Sequence, residues 1–188
     1  MGIIRFDHFG FIAPLYARAS ADPASVARLD SLARLPVSGR LLDLGGGTGR
    51  IASALRGQAA QIVVADESIG MLRQVPDGLD AVRGLSECLP FAASSFDAIL
   101  LVDALHHVAS QAGTVREMWR VLAPGGRIVI EEPDIRAMVV KGIAVGEKLL
   151  GMRSHFLPPD DIAGLFPGDA RVEIVTGRSS VWVMAAKM

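Results

Sequence analysis

The residues best able to do chemistry fall in three clusters, each at or just after the end of a short apolar run. "LLDLGGGTGR" (41–50) sets Asp43 ahead of Gly45, Gly46, Gly47 and Gly49; "QIVVAD" (61–66) ends in Asp66, with Glu67 next to it; and "FDAILLVDALHHV" (96–108) leads into Asp103, His106 and His107. A glycine run admits positive φ and carries no Cβ to hold a nucleotide away from backbone amides. A carboxylate about 20 residues further on, at the tip of the next strand, can accept both hydroxyl protons of a ribose. The competing role for Asp66 is to cap the helix of "ESIGML". A histidine titrates near neutrality and can take a proton from an acidic carbon or hydroxyl; otherwise it packs the turn in which it lies.

Other chemistries lack their residues. Cys88 is the single cysteine, which excludes an internal disulfide and a cysteine-based zinc cluster, and it reads as a small buried hydrophobe rather than a nucleophile. Neighbouring side chains diverge on a helix or a strand, so the pair His106 and His107 is a poor metal chelate, and no metal is expected. A dinucleotide fingerprint wants a third glycine three residues after Gly47, and Arg50 stands there, which disfavours a nicotinamide cofactor. With 19 basic and 20 acidic residues and a net charge of −1, no basic field marks a nucleic-acid partner.

The elements that must position these clusters alternate between β-branched runs and helical stretches: "RLLDLG" then "RIASALR", "QIVVAD" then "SIGMLRQV", "FDAILLVD" then "TVREMWRVL", "GRIVIEE" then "IRAMVVKGIAVGEKLL". That order predicts an α/β fold, a Rossmann-like doubly wound and mostly parallel sheet with helices on both faces. "LDAVRG" is a weaker strand. "ARVEIVTG" and "SSVWVMAAKM" are joined by too short a link for a crossover helix, so they form an antiparallel C-terminal hairpin. Asp22 and Pro23 open a helix with Val26, Leu29 and Ala33 on one stripe, within an N-terminal flank or lid (1–38) on a single domain (1–188, core 39–188). Phe6, Phe9, Phe11 and Tyr16 either pack under that helix or cover the cleft. The longest apolar runs are far below the roughly 20 residues of a membrane span, and the start of the chain is unlike a signal peptide, so a cytoplasmic location is expected.

Taken in order and spacing, "LLDLGGGTGRIA", "VVADESIGML", "GLSECLPFAASSFDAILLVDALHHV" and "VLAPGGRIVIEEPD" resemble the successive motifs of the class I S-adenosylmethionine-dependent methyltransferases. Within that superfamily they most resemble the small-molecule branch that includes the ubiquinone and menaquinone C-methyltransferases. The resemblance runs from about Phe6 to the C-terminus. It implies that Asp43 and the backbone of Gly45, Gly46 and Gly47 hold the methionine end of S-adenosylmethionine, with Asp103 near the same portion. It further implies that Asp66 binds the ribose and Met71 packs on the adenine. The family places an acid at the position of Leu85, and Ser86 or Glu87 is left to bond the adenine edge here. "DALH" departs from the Asn/Asp-Pro-Pro-aromatic tetrapeptide of nucleic-acid amino methylases.

The expected activity is methyl transfer to a carbon or oxygen of a small, hydrophobic or aromatic molecule, with His107 and His106 as candidate catalytic groups. A non-catalytic cofactor-binding regulator or partner subunit is the alternative, and a nicotinamide oxidoreductase is disfavoured. The apolar stretch holding Met138, Val139, Ile143, Val145, Leu149 and Met152 is a lid over the acceptor, core, or a homodimer contact.

Overall fold

The computed structural model describes residues 13, 20–138, 140–142 and 154–188. Phe6, Phe9, Phe11, Tyr16, Val139, Ile143, Val145, Leu149 and Met152 therefore lie outside the described residues. The chain runs α1 (Pro23–Ala33), β1 (Arg40–Leu44), α2 (Arg50–Ala54), β2 (Gln61–Asp66), α3 (Ile69–Leu72), β3 (Asp80–Arg83) and β4 (Phe96–Val102). After a 3-10 turn (Leu105–His107) come α4 (Gln111–Val121), β5 (Leu122–Pro133), α5 (Pro159–Ala163), β6 (Arg171–Thr176) and β7 (Ser180–Ala186).

The strands form one seven-stranded sheet in the order β3-β2-β1-β4-β5-β7-β6. β1 pairs in parallel with β2 on one side and β4 on the other. The chain thus reverses its direction of travel across the sheet at β1, and the crevice between the loops after β1 and β4 opens beyond the strands' carboxyl ends. β7 is antiparallel to both β5 and β6. The expected hairpin forms, and its second strand takes the inner place.

Strand side chains are buried on both faces because alternate residues enter two different cores. Leu42, Leu44, Ile99, Leu101, Ile128 and Ile130 pack with Val115, Met118 and Val121 of α4. Leu41, Val64, Ala98, Leu100 and Val129 pack with Leu29 and Ala33 of α1 and with Ile51 and Ala52 of α2. α1 starts as its sequence suggests: the Asp22 carboxylate accepts from the amides of Ala24 and Ser25, and Pro23 follows at the first helical position. Its buried stripe lies on the sheet, which makes this helix a cover of the core.

Two expectations need correction. Cys88 is exposed, because it sits in a tight turn bridged to Leu85 on the surface rather than on a packed face. The rings of His106 and His107 do not diverge: their centroids are 3.9 Å apart at a 48° tilt. The tight 3-10 turn and the side chains packed around it bring these neighbours together where an extended strand would set them on opposite faces. Of the apolar stretch expected as lid, core or dimer contact, Met138 is 79% exposed, so it is not core, whereas Val140 is buried.

Candidate functional site

β1 delivers Asp43 into the interior at 1% exposure. Its carboxylate accepts from the Ala52 amide at 3.1 Å, so it ties the strand to the first turn of α2 from beneath the glycine loop. Burial is the main cause that raises its pKa to about 7; the Asp66 charge adds to this, and the Ala52 bond and Arg50 oppose it.

The glycines above it serve different purposes. Gly45 (φ +65°) and Gly46 are required by the protein's own atoms, since a Cβ would lie 2.7 Å from the Ala104 Cβ at the first and 2.6 Å from the Asp43 carboxylate at the second. Gly47 (φ +56°) has space, with the Met71 sulfur 3.7 Å from such a Cβ, and its backbone conformation is what selects glycine. Its amide donates to Asp66 Oδ2 at 3.0 Å, while Asp66 Oδ1 accepts from the Ser68 amide at 2.8 Å. The glycine loop and the β2-tip carboxylate are therefore physically joined. Ser68, not Asp66, caps α3, through a bond from the Met71 amide to its hydroxyl. Met71 is buried under the loop, and Glu67 is exposed beside it.

At the tip of β3, Ser86 and Glu87 occupy the turn that Leu85 and Cys88 close. Glu87 Oε1 accepts from the Ser110 amide at 2.9 Å, which fastens this turn to the start of α4, and Leu85 is half exposed.

Across the crevice, Asp103 adopts φ +55°, a conformation that aspartate tolerates better than most residues. It borders a cleft of about 380 Å³ with Ser25, Arg50, Glu131, Glu132 and Ser180. The turn that follows rests on Glu132, an acid of the "GRIVIEE" strand to which the sequence alone attached no role. Glu132, 3% exposed, accepts from the amides of Ala104 (3.0 Å) and Leu105 (2.8 Å) with Oε1 and meets His106 Nδ1 at 2.6 Å with Oε2. His106 is itself 2% exposed and stacks on Phe156 at 4.2 Å and 16°. His107 Nδ1 lies 3.3 Å from Ser154 Oγ. A signal for Glu132 existed: it shares the period-2 face of Ile128 and Ile130, where an acid has to be explained by partners. Ser154 gave none, because only folding brings it to the turn.

The structure gathers Asp43, Gly45, Gly46, Gly47, Asp66, Glu67 and Met71 around one loop. Asp103, His106 and His107 stand on the other side of the β1–β4 crevice, and Ser86 and Glu87 lie at the β3 end. Among the described residues, no group of three or more His, Cys, Asp or Glu is placed to hold a metal ion, and no helix is long and apolar enough to cross a membrane.

Residues 42–130 match the family model of the methyltransferase domain. A demethylmenaquinone methyltransferase of Beutenbergia cavernae is 40% identical over 110 residues, covering 56% of this chain and 45% of that protein. The ubiquinone/menaquinone biosynthesis C-methyltransferase UbiE of Stenotrophomonas maltophilia is 38% identical over 111 residues, 52% of this chain and 44% of its own length. The chain spans less than half the length of these curated relatives in the matched region. Among solved structures, an S-adenosylmethionine-dependent methyltransferase of Thermotoga maritima superposes with a TM-score of 0.75 at 20% identity, over 96% of this chain and 98% of that one, a likeness of fold.

Proposed function

We propose that this chain is a class I S-adenosylmethionine-dependent methyltransferase, on the likeness of residues 42–130 to a methyltransferase domain and of about half of the chain to quinone methyltransferases, and that it transfers a methyl group from S-adenosylmethionine to a carbon or oxygen of a small aromatic molecule of the quinol type. The observation that carries the reading is the bond from the Gly47 amide to Asp66, which unites a Cβ-free loop and a half-buried carboxylate at the rim of the sheet's switch point. That pair fits a nucleoside. The loop has an open face at Gly47, and a ribose diol can engage a carboxylate that neighbouring amides already orient.

The cofactor supplies an electrophilic methyl group on a sulfonium. The chain's own work is to hold and orient. Asp43 fixes the loop from below, the backbone of Gly45, Gly46 and Gly47 together with Asp103 borders the methionine end, and Asp66, with Glu67 beside it, takes the sugar. Met71 underlies the base, with Ser86 or Glu87 at its edge. Holding donor and acceptor in line and away from water supplies most of the rate in such a transfer, so few proton-moving groups are needed. His107 is the group in this reading that takes the acceptor's proton as its carbon or oxygen gains the methyl, and His106 braces it.

The competing reading is a cofactor-binding regulator without turnover, and the half-exposed Leu85 at the β3 tip is the observation that favours it. Thermal unfolding with S-adenosylhomocysteine and with NAD separates cofactor classes: at a hundred times its dissociation constant the true ligand adds about 2.7 kcal/mol of stability. We expect the gain with S-adenosylhomocysteine only, and Asp66→Ala reduces its affinity by roughly 1.5–3 kcal/mol, the worth of hydrogen bonds to a charged group. A gain with NAD alone overturns the cofactor; binding without any methylated product from quinol and phenol probes favours the regulator.

A further inference from the structure

At the β4–β5 end of the crevice the Glu132 carboxylate is bonded on both oxygens, and its three partners are two backbone amides and an imidazole nitrogen that is able to donate. Oε1 takes two backbone amides and Oε2 takes His106 Nδ1 at 2.6 Å, within a residue 3% exposed. A carboxylate this deep persists only when donors offset its lost hydration, and the amides of Ala104 and Leu105 do so at Oε1. With Oε1 held by two donors and Oε2 as the acceptor of the short bond, the imidazole is its donor, through Nδ1.

We propose that Glu132 is a positioning residue that locks His106 with its proton on Nδ1 and none on Nε2, and that this lock, through the packed rings, sets the ring of His107. The geometry admits little else. The His106 ring packs at 4.2 Å on Phe156 and at 3.9 Å on His107. Its backbone carbonyl accepts from the His155 amide at 2.8 Å, and Gln111 Nε2 donates to the carbonyls of both Leu105 and His155. A ring flip would lose the Glu132 bond. The turn is thus pinned to β5 on one side and to the 154–156 segment on the other, with Ser154 beside His107. Sheet and segment converge on a histidine pair in which His106 is held in one tautomer, at the lip where the acceptor lies in the proposed function, on which the catalytic meaning of the lock rests.

Glu132→Gln is the discriminating variant because it is nearly isosteric and changes only the chemistry of one atom. Its carbonyl oxygen still accepts from Ala104 and Leu105, but an amide nitrogen replaces the oxygen that faced His106, and that nitrogen can only donate. The buried imidazole then has to accept at Nδ1 and carry its proton on Nε2. Two-bond proton–nitrogen correlation spectra of histidine-labelled protein read this directly. In the wild type we expect Nδ1 of His106 to remain pyrrole-like from about pH 6 to about pH 9, either side of an ordinary histidine pKa. In Glu132→Gln it becomes pyridine-like at the upper pH, and Glu132→Asp, which keeps the charge, retains the wild-type pattern. A residue that merely braces the turn would leave the tautomer unmoved by the amide.

A pyridine-like Nδ1 in the wild type, or an unchanged tautomer in Glu132→Gln, overturns the proposal. If the glutamine variant fails to fold, the wild-type spectrum decides alone. S-adenosylhomocysteine affinity reports separately on the cofactor reading, so a locked tautomer with no nucleoside binding faults the proposed function and leaves the lock standing.

Discussion

Asp43 is an acid whose proton affinity the fold has raised, from 3.8 to about 7, chiefly by burying it. The native state therefore binds that proton more tightly than the unfolded chain. This contribution to stability is full below about pH 4, declines as pH climbs towards about 7, and is flat above it. Asp43→Asn removes the titration while its carbonyl oxygen can still accept from Ala52. In urea unfolding across that range, the wild type should lose stability relative to the variant by at most about 4 kcal/mol, because each tenfold gain in proton affinity is worth roughly 1.4 kcal/mol. A constant gap between the two proteins would mean that Asp43 ionises normally in the fold. A cation bound above the loop opposes the burial and moves the window down. The residue's identity in a strand-Asp-glycine motif was legible in the sequence; its altered acidity was not, because desolvation depends on the α2 turn that closes over it.

At the scale of an element, the loop after β1 is shaped by its neighbours as much as by any ligand. Gly45 combines φ +65° with a would-be Cβ only 2.7 Å from that of Ala104. Gly45→Ala should cost about 1–3 kcal/mol from backbone strain, with the clash against the post-β4 turn in addition. Pairing it with Ala104→Gly relieves the clash and leaves the strain, so a double-mutant cycle in guanidinium unfolding should show a favourable coupling of about 0.5 kcal/mol or more. Additive effects would mean that the two loops do not press on each other. The sequence shows the glycine run and the strand before it, because a period-2 apolar run and a Cβ-free stretch are local signals. It does not show the His106–His107 turn, where a three-residue period replaces helix or strand geometry, nor the part played by Glu132, whose value lies in amides 27 and 28 residues away.

For the whole molecule, burial follows sheet position more than residue type. Ile174 and Val183 are register partners on adjacent strands, yet Val183 is fully buried on inner β7 and Ile174 is 37% exposed on edge β6. Val183→Ala should destabilise by roughly 2 kcal/mol, two buried methyl groups plus a residual cavity. Ile174→Val should stay within about 0.5 kcal/mol of the wild type, as exposed substitutions do. Chemical denaturation of both variants checks the ordering, and equal losses would contradict the placement of β6 at the edge. Sequence by itself determined the α/β alternation, the start of the helix that Asp22 and Pro23 open, and the two clusters at Asp43–Gly47 and Asp66, since each is written in residues within a few positions of one another. Only tertiary structure decided that Gly47 bonds Asp66, that Glu132 holds His106, and that Cys88 faces solvent. Those outcomes depend on which strands lie side by side, and that is settled by burying both faces of one sheet at once.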